Sequence, residues 1–122
     1  MAKNMEIALL FDFYGDMLTD KQRDVVELYY NDDLSLSEIA ENEGITRQGV
    51  RDSIKRAEAQ LLEMEDRLGL ARRFRGMREG LEAIRAAAEE IRELNDRYGY
   101  SREIHDRSGR ILELSSRLAA EG

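Results

Sequence analysis

Cysteine, proline and tryptophan are absent from this 122-residue chain, and histidine occurs once. Without cysteine there is neither a disulfide nor a thiolate metal site, which fits a reducing compartment. His105 has no second histidine or cysteine at ligand spacing, so no metal and no cofactor is expected. No run of eighteen apolar residues occurs, and the opening MAKNMEIALLFDFYGDML is broken by Glu6 and Asp12. Neither a membrane span nor a signal peptide fits, and a cytoplasmic location is expected. Carboxylates abound, but the pairs Asp12 with Asp16 and Asp32 with Asp33 come without a nucleophile, a phosphate loop or a metal signature. A solvated face and a turn account for them, so the protein is not expected to be an enzyme.

What is present is charge and helical periodicity. Charged residues make up 37% of the chain, and apolar residues recur every three or four positions almost throughout, which predicts an all-α protein. Residues 5 to 18 place Ile7, Leu10, Phe11, Tyr14 and Leu18 on one face of a first helix. Thr19 is placed to cap a second, from about Asp20 to Asn31, with Val25, Val26, Leu28, Tyr29 and Tyr30 as its apolar surface. Tyr29 and Tyr30 read as core packing in preference to a stacking platform for bases.

The segment SLSEIAENEGITRQGVRDSIKRAEAQL, residues 35 to 61, organises the rest. Ser35 and Glu38 have the spacing of a capping box at the start of a short helix that carries Leu36, Ile39 and Ala40 on one face. Gly44 allows the left-handed exit, and Ile45 fills the angle. Thr46 caps a longer helix with a stripe of Val50, Ile54, Ala57 and Leu61. Small Ala40 and Gly49 would let the two axes approach closely. This is a helix-turn-helix pattern, which holds its second helix out for a nucleic-acid groove. The exposed residues near the start of that helix are then the candidate nucleic-acid-binding set: Thr46, Arg47, Gln48, Arg51 and Lys55. Arginine can pair with guanine or phosphate, glutamine with adenine, and a threonine hydroxyl with phosphate. The alternative is that these are solvated polar residues opposite the core stripe.

Charge bears on the choice. Formal net charge is -7; residues 1 to 70 carry eight Lys/Arg against sixteen Asp/Glu, and residues 71 to 122 eleven Arg against ten Asp/Glu. Affinity for random duplex comes mainly from neutralising phosphates, so the acidic half should bind it poorly.

The stripe of the fourth helix continues through Met64 and Leu68, and Leu68-Gly69-Leu70 shifts its phase. A long helix from about Ala71 to Arg97 follows, with Leu70, Phe74, Met77, Leu81, Ile84, Ala88, Ile91, Leu94 and Tyr98 near heptad spacing. Gly76 and Gly80 weaken its first turns. Tyr98-Gly99-Tyr100 ends it, and a last helix bears Ile104, Ile111, Leu114 and Leu118. We therefore expect a helix-turn-helix domain over residues 1 to 70 and an arginine-rich region over 71 to 122 that folds back as a hairpin or pairs across a homodimer. Arg72, Arg73, Arg75 and Arg78 form the strongest basic cluster, either a grip for phosphates or a solvated face paired with Glu79 and Glu82.

The stretches LFDFYG, LTDKQR, LYYNDDLSLSEIAE and ITRQGVRD, lying between Leu10 and Leu70, together resemble the YlxM family of helix-turn-helix proteins. The same stretch is similar to region 4 of primary-type sigma factors, where such a unit reads the promoter. The YlxM resemblance implies a bacterial regulatory protein of the signal recognition particle pathway. Its implied partners are DNA, the RNA of that particle and the particle's GTPase. The competing implication is an adaptor that keeps the helix-turn-helix scaffold and binds a protein partner without DNA.

Overall fold

Four side-chain oxygens set where the first helices begin. In a computed structural model describing residues 2–121, Asn4 Oδ1 accepts the Glu6 N–H at 2.9 Å, Thr19 Oγ1 the Gln22 N–H at 3.2 Å, Ser35 Oγ the Glu38 N–H at 3.1 Å, and Thr46 Oγ1 the Gly49 N–H at 2.9 Å. Each satisfies a backbone donor that the helix itself leaves unpaired. The helices that follow are α1 (Met5–Tyr14), α2 (Asp20–Tyr30), α3 (Leu36–Glu43) and α4 (Arg47–Leu68), with a 3-10 turn at Gly15–Met17. Two longer helices complete the chain, α5 (Leu70–Tyr98) and α6 (Arg102–Glu121), and no strand occurs among the described residues.

The chain divides into two compact units, one ending at Ala71 and the other beginning at Arg72. In the first, α4 packs against α1, α2 and α3 alike, and two apolar clusters share its length. Val50 and Ile54, in its first half, are buried with Val25, Tyr29 and Ile39 from α2 and α3. Ala57 and Leu61, in its second half, are buried with Ile7, Leu10, Phe11 and Tyr14 of α1. The start of α4 is thus aimed by α2 and α3, while α1 holds its far end.

Tyr29 lies in the core as its apolar face predicts. Tyr30 is only half-buried; its ring meets that of Tyr29 edge-on at 5.2 Å and its hydroxyl donates to Glu58. Burial and that bond hold the Tyr30 hydroxyl well above the usual phenol range. At the other end of the unit Tyr14 donates to Glu65 at 2.7 Å and accepts the Leu70 N–H at 3.0 Å, while Glu65 accepts the Ala71 N–H at 3.1 Å. These two side chains cap the start of α5 after Gly69, whose φ of 65° closes α4.

The α3 capping box is complete, with the Glu38 carboxylate accepting the Ser35 N–H at 3.1 Å. Those bonds, with the Ser35 backbone first, hold Glu38 below its ordinary pKa of 4.5. A depressed carboxylate stabilises the fold at and above its ordinary value, and that support is lost as pH falls through the lowered one. The box on α2 uses Gln22, which does not titrate in this range. Glu38→Gln is therefore expected to keep the cap and flatten part of the acid limb of thermal melts as pH falls below the ordinary carboxylate value of 4.5.

The second unit is a hairpin. Gly99, at φ 120°, reverses the chain, and Asn95 ties the reversal by accepting the Ser101 N–H at 2.8 Å and donating to the Ser101 carbonyl at 2.9 Å. The Arg92 guanidinium lies 2.7 and 2.9 Å from the two ring nitrogens of His105. Among the described residues of this unit Ala88, Asn95, Ser108 and Ser115 are the buried ones, whereas most large apolar residues of both helices are exposed. Gly76 and Gly80 sit within unbroken helix with open space around them.

Candidate nucleic-acid interface

The bend between α3 and α4 takes three residues. Gly44 adopts φ 68° and ψ 31°, and its N–H and that of Ile45 both reach the Ala40 carbonyl, the latter at 3.1 Å. Ile45 packs into the cluster of α2, α3 and α4, and Thr46 starts the next helix. No atom lies within 4 Å of a Cβ built on Gly44, so Gly44→Ala meets only backbone strain. A loss of about 1 kcal/mol in chemical denaturation is expected, since that is the usual cost of a left-handed alanine. Gly49 plays a different part from the one its small size suggests. A Cβ there would sit 3.1 Å from Thr46 Oγ1 and 3.8 Å from Ile45, so glycine clears room for the α4 cap and the turn; no atom of α3 is among its near neighbours.

All five candidates, Thr46, Arg47, Gln48, Arg51 and Lys55, are exposed, while Val50 and Ile54 beneath them are sealed. Arg47 and Arg51 lie one turn apart and line a shallow hollow with Gln48 and Leu36 of α3. Neither guanidinium, nor the Lys55 ammonium, has an ion pair among the described residues. The Thr46 hydroxyl accepts from Gly49, which leaves its own proton to donate outward. Gln48 is partly engaged, its amide donating to Asp52 Oδ1 at 2.9 Å.

Helical periodicity sorts these groups. Measured from the buried Val50 and Ile54, the crest of α4 carries Gln48, Asp52 and Lys55, and Arg47 and Arg51 stand on the flank toward α3. The opposite flank holds Ser53 and Arg56, which share a cleft with Asp52, Thr19 and Lys21 at the start of α2. Asp52, Arg56 and Lys21 are absent from the expected set. The i,i+4 spacing of Gln48 and Asp52 was there to be read, but the meeting of Lys21 with Arg56 depends on how α2 crosses α4. Cations thus line both flanks of a crest that bears an amide-carboxylate pair.

In the arginine-rich stretch, Arg78 lies over the Phe74 ring at 5.8 Å, and Glu82, one of its expected partners, pairs with Arg85 instead. The described residues hold no group of histidine and carboxylate side chains able to bind a metal, and no helix long and apolar enough to cross a membrane.

Residues 1–99 match a family described as "Putative helix-turn-helix protein, YlxM / p13 like". A UPF0122 protein of Thermoanaerobacter sp. (strain X514) is 42% identical over 115 residues, which cover 94% of this chain and 89% of the relative. One from Acetivibrio thermocellus is 54% identical over 74 residues, covering 61% and 63%. Another from Halalkalibacterium halodurans is 46% identical over 87 residues, covering 71% and 80%. With the motif and its geometry in place, the chain belongs to UPF0122, the YlxM/p13-like family of helix-turn-helix proteins.

Proposed function

We propose that the protein is a non-enzymatic regulatory factor that binds duplex nucleic acid through α4. The observation that carries this reading is the exposed cation set around a sealed helix stripe, without an ion pair among the described residues: Arg47 and Arg51 on one flank and Arg56 on the other. An α-helix fits the major groove, and cations on both its sides face the two phosphate backbones while its crest faces base edges. Arg47 and Arg51 grip phosphates with help from the Thr46 hydroxyl. Gln48, Asp52 and Lys55 read bases, the carboxylate suiting a cytosine amino group and the amide an adenine. Acidity elsewhere suppresses random binding, so affinity depends on matching the crest.

The YlxM resemblance extends the reading to the signal recognition particle pathway, with its RNA on the Arg72, Arg73, Arg75 and Arg78 stretch and its GTPase as protein partner. Self-association as a homodimer belongs to the same proposal, since a pair would carry two reading helices.

Selection from a random duplex library, followed by anisotropy titrations, tests the DNA reading. A selected site should bind with a shallow salt slope, about -3 to -4 in log K against log salt, from three or four phosphate contacts. Failure to enrich any sequence, together with capture of the protein by a nuclease-treated lysate, would favour the adaptor.

A further inference from the structure

Both helices of the hairpin carry more core than the hairpin uses. On α5 the residues Met77, Leu81, Ile84, Ala88, Ile91, Asn95 and Tyr98 alternate spacings of four and three. On α6 Ser101, Ile104, Ser108, Ile111, Ser115 and Leu118 alternate three and four. That is a two-column heptad seam on each helix, the pattern that faces two neighbours in a bundle. Only one column is occupied. Ala88, Asn95, Ser108 and Ser115 are buried between the helices, while Ile84 is 49% exposed, Ile91 44%, Ile104 45%, Ile111 38% and Leu118 52%. The open columns share one face, since Ile91, Ile104 and Ile111 line a single shallow cleft. The opposite face has its own cleft, where Leu81 and Ala119 lie among Arg78, Glu82, Arg85 and Ser116.

We infer that this hairpin is half of an antiparallel four-helix bundle and that the other half is the hairpin of a second copy, with α5 of each packed on α6 of the other. The inference deepens the self-association in the reading above and is independent of nucleic acid. Its first support is register. Arg92 lies against His105, and Asn95 brackets Ser101, so residues of the two helices whose numbers sum to about 196 stand level. A two-fold axis along the hairpin keeps those heights, and brings Ile91 onto the partner's Ile104 and Ile84 onto the partner's Ile111. Large residues then meet large residues, where the residues fully buried in the hairpin are only alanine, asparagine and serine and its leucines Leu81, Leu112 and Leu114 are half-buried.

The second support is charge. Glu90 and Arg107 stand level on opposite outer edges of one hairpin, and neither has an ion pair among the described residues. The same axis brings Glu90 beside the partner's Arg107. Stacking α6 on α6 would instead set the Arg107, Arg110 and Arg117 edges together. The third support is area. With Met77, Leu94 and Tyr98 included, the open face exposes on the order of 700 Å², close to the ~800 Å² that one partner contributes to a standard interface.

Sedimentation equilibrium of the full chain, without nucleic acid, should give twice the 14.1 kDa chain mass. Ile91→Asp should raise the dissociation constant at least a hundredfold with helicity unchanged, because Ile91 lies outside the hairpin's own seam. Ser116→Asp, on the opposite face, should leave it unmoved. Arg107→Glu and Glu90→Arg should each weaken the dimer severalfold, and the double exchange should restore it. A monomeric wild type overturns this inference and the homodimer together. A dimer indifferent to Ile91→Asp, or a double exchange without recovery, overturns this pairing and leaves self-association through another surface standing. Either result leaves the DNA titrations to be judged separately.

Discussion

Alanine at both Arg47 and Arg51 is expected to lower affinity for a selected duplex about a hundredfold near physiological salt. A hydrogen bond to a charged group contributes about 1.5 to 3 kcal/mol, so each lost contact costs on the order of tenfold. Both side chains stand on the flank of α4, exposed and without ion pairs among the described residues, so their removal leaves the sealed stripe beneath untouched. As phosphate contacts they should be lost equally from matched and mismatched sequences, and the salt slope should fall by about two. Gln48→Ala, on the crest, should change which sequence is preferred more than how tightly it is held. Anisotropy on matched and single-mismatch duplexes at several salt concentrations separates the two behaviours. A fall confined to the matched site would reassign the arginines to base edges.

Ile54→Ala is expected to remove about 3 to 4 kcal/mol from the first unit, a large part of the 5 to 15 kcal/mol that stabilises a typical domain. Ile54 is fully buried in the cluster that joins α4 to α2 and α3. Its truncation opens a cavity where the start of α4 is aimed, because Val25, Tyr29, Ile39 and Val50 would all lose contacts. Urea denaturation should show the lowered midpoint. Nucleic-acid binding at 25 °C should weaken far less than stability until the unit begins to melt. By contrast Leu62→Ala, on the same helix but exposed, should change stability by no more than about 0.5 kcal/mol and leave the midpoint nearly in place.

The caps at Thr19, Ser35 and Thr46, the left-handed Gly44, and the buried stripe of Val50, Ile54, Ala57 and Leu61 all follow from local chemistry and a 3.6-residue period. The role of Gly49 did not, because it turns on the distance from an imagined Cβ to the hydroxyl three residues before it. Arg56 escaped because its neighbour Lys21 is distant in sequence. In α5 and α6 large residues mark a stripe, and stripes signal burial. Yet the hairpin closes on the adjacent column, whose fully buried members are alanine, asparagine and serine and whose Leu81 is half-buried, in a register set by the Asn95 clamp on Ser101. Periodicity reveals that a column exists; it is silent on which neighbour fills it.

Contact between the outward surface of α4 and nucleic acid can be followed residue by residue through the backbone amide resonances of the labelled protein during titration with a selected duplex. Shifts should concentrate from Thr46 to Arg56, with smaller ones at the start of α2 around Lys21, and Arg51→Ala should diminish them. Saturable binding that leaves residues 46 to 56 unmoved would contradict that contact.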